Sequence, residues 1–314
     1  MSDDVARDKA PRQQPNRRAS RVEINGWINL DKPVGVTSTQ AVAQLKRLFN
    51  AKKVGHAGTL DPLASGVLPV AFGEATKTVP IVQDGTKAYE FVVRWGEETD
   101  TDDAEGKIVV RSPGRPSREQ IEAALPRFTG VIDQTPPKYS AIRIGGERAY
   151  DLARDGESFE IASREIVVHR LSLIEAQPDE ARFEAECGKG AYVRALARDM
   201  GRALGCGGHV IFLRRTRVGP FAVGQATTLE SLDASSEARA AALAPVESGL
   251  AELPRLAVDR DGASILRRGQ KLLLRGSGVP AEGPAYAACF GAPVAFGSIE
   301  SGYFVSTRVF NLPL

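Results

Sequence analysis

The chain has 314 residues, 42% hydrophobic and 25% charged, with a formal net charge of +2, an ordinary globular composition with ample material for a core. No run approaches the roughly 20 apolar residues needed to span a bilayer, and Met1 to Arg21 lack the apolar middle of a secretory signal, so a cytoplasmic location is expected. Cys187, Cys206 and Cys289 lie far apart, no C-x-x-C occurs, and the only histidines are His56, His169 and His209, which argues against a disulfide framework or a structural zinc site.

Residues 1–23 are polar, with six cations and four acids, and are predicted to be a disordered, mildly basic arm. Gly26–Leu30 reads as a short strand ending in a Pro/Gly turn. Thr37 or Ser38 can cap the next helix, whose Val42, Leu45 and Phe49 form a buried stripe.

The stretch KKVGHAGTLDPLASGVLPVAFGE (52–74) sets one acid, Asp61, between glycine-rich turns and a buried apolar run. Gly58 and Gly66 permit positive φ or close backbone approach, and Pro62 biases Asp61 towards an extended conformation. The carboxylate is expected on a stiff loop. From these residues alone it can be either a chemical group or a turn cap.

Lys87–Trp95 is rich in aromatic and β-branched residues and reads as a strand, with Tyr89, Phe91, Val93 and Trp95 on one face. Tyr89 fits either the core or an edge over a cleft. The acidic segment Glu97–Gly106 lacks the calcium-loop spacing, so it is expected to be a solvated or turn-capping loop. A returning strand is expected over 106–111. Ser117 and Gln120 make a capping-box pattern before Ile121, Leu125 and Phe128. Two prolines exclude regular structure from Asp133 to Ser140, and a short helix over 148–154 is expected to stop at Gly156. Strands follow near 166–174 and 181–187, the second alternating Phe183, Ala185 and Cys187 with charged residues.

A helix then carries Val193, Leu196, Met200 and Leu204 on its apolar stripe and Arg194, Arg198 and Arg202 at i, i+4, i+8 on another face. From Lys189 to Arg217 there are seven cations and one acid, Asp199; such a block reads as a phosphate-facing surface or as a solvated face. Arg194 at a helix start opposes the dipole, which makes sense if it pairs with an acid. Gly205–Val210 follows a helix instead of opening one, so it is not a nucleotide loop. Short helices are expected over 234–250. Residues 253–314 read as a compact tail with a helix near 262–268, stopped by Gly269, and strands near 285–290, 294–299 and 303–310.

GWINLDKPVGVTS (26–38), KKVGHAGTLDPLASGVLPVAFGEATK (52–77), KAYEF (87–91), TDTDDAEG (99–106), PPKYSAIRIGGERAYDLAR (136–154), KGAYVRALARDMG (189–201) and GCGGHVIFLRRTRVG (205–219) together resemble the TruB family of tRNA pseudouridine synthases. The resemblance is dense from Asn25 to Leu229. The last sixty or so residues resemble, more weakly, the PUA-like RNA-binding appendage of many members. It implies an α+β pseudouridine synthase fold with a central mixed, mostly antiparallel sheet. It also implies a division into the arm (1–23), a catalytic domain (24–250) and a PUA-like module (251–314). The implied activity is conversion of uridine to pseudouridine at position 55 in the T-loop of tRNA, by a monomer with no cofactor, metal or obligatory protein partner. By the same resemblance Asp61 is the catalytic carboxylate and Arg194 pairs with it. Tyr89 packs on the target base, and His56 helps hold the loop from which the base is extracted. Tyr192 and Leu213 line the uracil pocket, and Lys32 with Pro33 supports the active-site loop.

These residue types suit that chemistry. A carboxylate can act as a covalent nucleophile, at C1′ of the sugar or C6 of the base. Arginine offsets the desolvation of a buried carboxylate with a fixed charge and a planar fork. A stacked base must be flipped out, at a cost that an aromatic partner offsets. The arginine-rich helix face and Arg214, Arg215 and Arg217 would face phosphates. Two other readings compete. One is a non-catalytic tRNA-binding or RNA-folding protein, favoured by the basic helix and the tail. The other is a glycosidase, which needs a second carboxylate flanking the bond.

Overall fold

The computed structural model describes residues 20–140, 142–155, 157, 159–274 and 281–314. Most of the predicted arm and the Gly156 helix stop lie outside them. The described end of the arm is tied down: Val22 N–H donates to the Asn50 carbonyl and Lys52 N–H to that of Val22.

A nine-stranded sheet forms the body. Its main path runs Gly26–Lys32, Ser65–Phe72, Gly208–Val218, Lys87–Trp95, Glu180–Cys187, Arg164–Ala176, Gly130–Gln134. Every neighbour is antiparallel except Ser65–Phe72 beside Gly208–Val218. The sheet is therefore mixed and mostly antiparallel, as expected. Val54–His56 and Phe221–Ala222 extend it.

Burial follows from strand position. Glu180–Cys187 alternates half-buried and buried residues because only one face is covered. Ser65–Phe72 is buried at all eight positions, which is why it reads as a continuous apolar run. Phe91, Val93 and Trp95 stand in the core on one face of their strand, with Tyr89 packed against its margin. Helix Ser38–Leu48 begins with a capping box: the Thr37 hydroxyl accepts from Gln40 N–H, and the Gln40 side chain accepts from Thr37 N–H. Ser117 and Gln120 form a second one ahead of helix Arg118–Ala124.

Helix Val193–Ala203 lies against the Gly208–Val218 strand. Sequence reasoning treated most of that strand only as part of a basic block, yet it sits near the middle of the sheet. Its register against Lys87–Trp95 shifts twice, around Ile211 and Thr216; such bulges re-aim side chains. Gly66 is required where it meets its parallel neighbour. It has φ +104°, and a Cβ there would lie 2.2 Å from the Arg215 carbonyl oxygen.

The tail folds as a five-stranded sheet ordered Arg255–Ala257, Gly283–Cys289, Ala292–Glu300, Tyr303–Val309, Leu272–Leu273, with its own core around Leu266, Ala287 and Phe304. Helix Arg260–Arg267 covers it. The chain end returns to the body. Phe310 is buried in the cluster of Trp27, Val67 and Phe221, and Glu74 accepts from Asn311 N–H at 2.6 Å.

Candidate active site

Asp61 lies on the loop between Val54–His56 and Ser65–Phe72, and that loop is held from three sides. The Ser38 hydroxyl, on the first residue of the Ser38–Leu48 helix, exchanges two 2.9 Å hydrogen bonds with the backbone of Leu60. Lys32, fully buried, donates to the carbonyls of Pro33 (2.8 Å) and Val36 (2.7 Å), with Pro62 at 3.5 Å. Arg215, also buried, donates to the carbonyls of Gly58, Thr59 and Val67 at 3.1, 3.1 and 2.8 Å. Gly58 takes φ +100° at the turn. A loop fixed at this many backbone groups presents its carboxylate in one place.

That carboxylate faces a cleft of about 1020 Å³ lined by His56, Asp61, Tyr89, Tyr192, Arg194 and Leu213, among others. Six of the seven residues singled out from sequence thus line one cavity. Lys32 does not; it sits beneath the loop. Arg194 Nε stands 3.0 Å from Asp61 Oδ2, and its Nη1 stands 3.2 Å from Asp103 Oδ2. Its remaining N–H groups reach the carbonyls of Thr101 (2.9 Å) and Tyr139 (3.0 Å). The Arg194 side chain is 6% exposed, Asp103 3% and Asp61 34%. One buried guanidinium therefore serves two carboxylates, of which only Asp61 retains access to the cleft.

Of the two expectations for the acidic segment, turn capping is what the structure shows, and the segment is not a solvated loop. It caps its own turns, with Asp103 accepting from Glu105 N–H and Asp100 from Lys107 N–H. It also docks on the arginine face of helix Val193–Ala203 through Arg194–Asp103, Arg198–Asp102 at 2.9 Å and Arg202–Glu98 at 2.7 Å. Burial raises the Asp102 carboxyl to about 6, with Arg198 and Arg194 opposing. Burial likewise raises Asp103, against the Thr101 hydrogen bond and Arg194.

The block predicted as a phosphate-facing surface is largely engaged in ion pairs and loop contacts instead. Arg194 and Arg198 are turned into the protein, while Arg202 pairs with Glu98 and stays exposed. Arg214 pairs bidentately with Asp31 (3.0 and 2.7 Å), Arg217 with Glu186 (3.5 Å), and Arg215 holds the loop carbonyls. Lys189 pairs with Asp84 at the surface. An i, i+4, i+8 row of cations is the same pattern whether water or a row of acids covers it.

Burial lowers the His56 imidazole, and Arg215 acts in the same direction; the ring is neutral at pH 7. Its Nδ1 is buried without a partner. Burial raises the Tyr89 phenol, which stays protonated. Burial lowers Lys32 to about 8, with Asp61 opposing and Arg215 reinforcing. Tyr192 caps the helix start with backbone alone and exchanges two hydrogen bonds with the Gln134 side chain, at 2.8 and 3.1 Å.

Arg215 and Asp103 were missed as site residues. Arg215 could have been found from period two: Leu213 and Arg215 share a strand face, and Arg215 stands in register with Tyr89. Nothing local marks Asp103.

Comparison with known proteins gives the cleft its context. The sequence signature of the TruB family pseudouridylate synthase N-terminal domain matches residues 46–193, and that of the tRNA pseudouridylate synthase B C-terminal domain matches 194–251. A protein named tRNA pseudouridine synthase B from Bradyrhizobium diazoefficiens is 57% identical, over 97% of this chain and 91% of its own length. Its namesake from Rhodopseudomonas palustris is 56% identical, over 94% and 83%.

The chain belongs to the TruB family of pseudouridine synthases.

Solved structures agree with this placement of the enzyme. A Cbf5–Nop10–Gar1 complex matches with a TM-score of 0.70 at 27% identity, covering 91% of this chain and 84% of that one. An H/ACA RNP bound to a substrate RNA containing 2′-deoxyuridine matches with a TM-score of 0.71 at 26% identity, covering 92% and 85%. Among the described residues no helix is long and apolar enough to cross a membrane.

Proposed function

We propose that this enzyme converts uridine to pseudouridine at position 55, in the T-loop of tRNA, with Asp61 as the nucleophile. The observation that carries the proposal is the Asp61–Arg194 pair at 3.0 Å, at the wall of a cleft shared with Tyr89, Tyr192 and Leu213. The family relation supports the reaction class, and the relatives' shared name supports tRNA as the substrate.

The reaction breaks the C1′–N1 bond, forms a C1′–C5 bond, loses the C5 proton and takes up a proton at N1, with no net oxidation. The residues divide that work. Asp61 attacks C1′ or C6 as the carboxylate, and Arg194 pairs with it while its own position is set by Asp103 and two carbonyls. A fixed guanidinium costs no reorganisation as charge moves between carboxylate and sugar. The neutral Tyr89 ring stacks on the flipped uracil, Leu213 and Tyr192 bound the pocket, and neutral His56 offers a hydrogen bond to the displaced strand. After glycosidic cleavage Asp61 is the leading base for the C5 proton.

The test is tritium release from [5-³H]uridine-labelled tRNA, followed by mapping of the modified position. Modification at position 55 that disappears in tRNA with that uridine replaced supports the assignment. Release from another position overturns it.

A further inference from the structure

An enzyme acting on tRNA needs cations for phosphates, and most of the block first expected to supply them is paired with acids or loop carbonyls of the protein. Of the four arginines lining the cleft, Arg194 holds two carboxylates and Arg215 holds loop carbonyls. Arg143 and Arg164 have no carboxylate partner among the described residues.

Arg164 is the more closely fixed. It opens the Arg164–Ala176 strand, in register with Gln134, whose side chain holds the backbone of Tyr192. Its guanidinium lies over the Tyr192 ring, 5.4 Å from the centroid, and Nη2 donates to the Gly190 carbonyl at 2.7 Å. Its Nε–H is buried with no acceptor among the described residues. Three of the six buried, unpartnered side-chain atoms among the described residues belong to this cleft's lining: His56 Nδ1, Ser140 Oγ and Arg164 Nε. Buried polar groups are normally satisfied, so hydrogen-bonding capacity left unmet within the protein is concentrated in the walls of this cleft.

We propose that Arg164 is a phosphate clamp: its guanidinium, laid on Tyr192 and steadied at Gly190, takes a phosphate oxygen of the RNA strand beside the flipped nucleotide. The planar fork suits phosphate, and the absence of a protein carboxylate leaves it available. The clamp rests on reading the cleft as the tRNA site. It differs from a contact to a uracil oxygen, because only a phosphate contact releases a counterion.

The experiment measures binding of a T-stem-loop RNA to wild type, Arg164→Gln and Arg164→Lys against salt concentration, with circular-dichroism melts for each. Loss of one phosphate contact lowers the slope of log K against log salt by about 0.7–0.9. Arg164→Gln is expected to show that loss, and Arg164→Lys to keep the wild-type slope. In a second readout, phenylglyoxal labelling of the wild-type protein, read by mass spectrometry, is expected to show Arg164 protected by the RNA. An unchanged slope in Arg164→Gln, or equal labelling with and without RNA, overturns the clamp while leaving the tRNA site intact. Wild type failing to bind the stem-loop overturns the reading of the cleft, and the clamp with it.

Discussion

Replacing Arg194 by methionine keeps most of the side-chain volume and removes the charge that joins two carboxylates. Asp103, 3% exposed, is left with no cation on that side, and the carbonyls of Thr101 and Tyr139 lose charged donors. Breaking a buried pair by removing one partner costs about 3–5 kcal/mol. Asp61, 34% exposed, recovers part of its hydration, so the loss should fall near the middle, about 4 kcal/mol, or roughly three decades in the folding equilibrium. For a chain of this size that lowers the melting temperature by roughly 10 °C. Catalysis falls separately, because Asp61 loses a preorganised counter-charge, an effect of about 10²–10³ in rate. Arg194→Lys keeps a charge but cannot reach all four acceptors, so it should lie between wild type and Arg194→Met in both readouts. Calorimetry and single-turnover tritium release on the three proteins check this. A methionine variant that melts within about 2 °C of wild type and reacts within about threefold of its rate would refute the account of Arg194.

Other consequences follow from the same geometry. Gly66→Ala places a Cβ 2.2 Å from the Arg215 carbonyl at φ +104°; it should cost about 2–5 kcal/mol and reduce activity, since the strand it displaces carries Arg215. Tyr89→Leu removes base stacking worth about 1–3 kcal/mol, seen as a fall in kcat/KM that Tyr89→Phe largely restores. Lys32→Met deprives the Pro33 and Val36 carbonyls of a donor, at a cost of about 1.5–3 kcal/mol at pH 7. Lys32 also predicts a pH dependence. Its folded value of about 8 lies below the usual 10.5, so between those values the unfolded chain keeps a proton that the native state has shed. Wild-type stability relative to Lys32→Met should therefore rise with pH from 8 to 10.5 and be flat below that window; denaturant titrations at pH 7, 9 and 10.5 measure it.

Elements whose residues answer to one local rule were legible in the sequence. The alternation in Glu180–Cys187, a helix cap at Thr37 or Ser38, the capping box at Ser117 and the all-buried run after Asp61 each record a single face or terminus. What stayed hidden depends on partners distant in the chain. Gly208–Val218 reads as a cluster of cations because its arginines find Asp31, Glu186 and the Asp61 loop only after the sheet forms. The acids of Glu98–Asp103 look solvated for the matching reason: their arginines lie about a hundred residues away. Charge patterning records that charges exist and leaves open what covers them. Asp61, Tyr89, Arg194, His56, Tyr192 and Leu213 were gathered by family resemblance, and the cleft brings them together through crossings no local pattern contains.

The central claim is that Asp61 performs the chemistry. Its most direct test is tritium release from [5-³H]uridine-labelled tRNA by wild type and Asp61→Asn, each first shown to bind the tRNA. The account predicts release by wild type and none above background by the asparagine variant, with binding retained. Release by Asp61→Asn at the wild-type rate would contradict it.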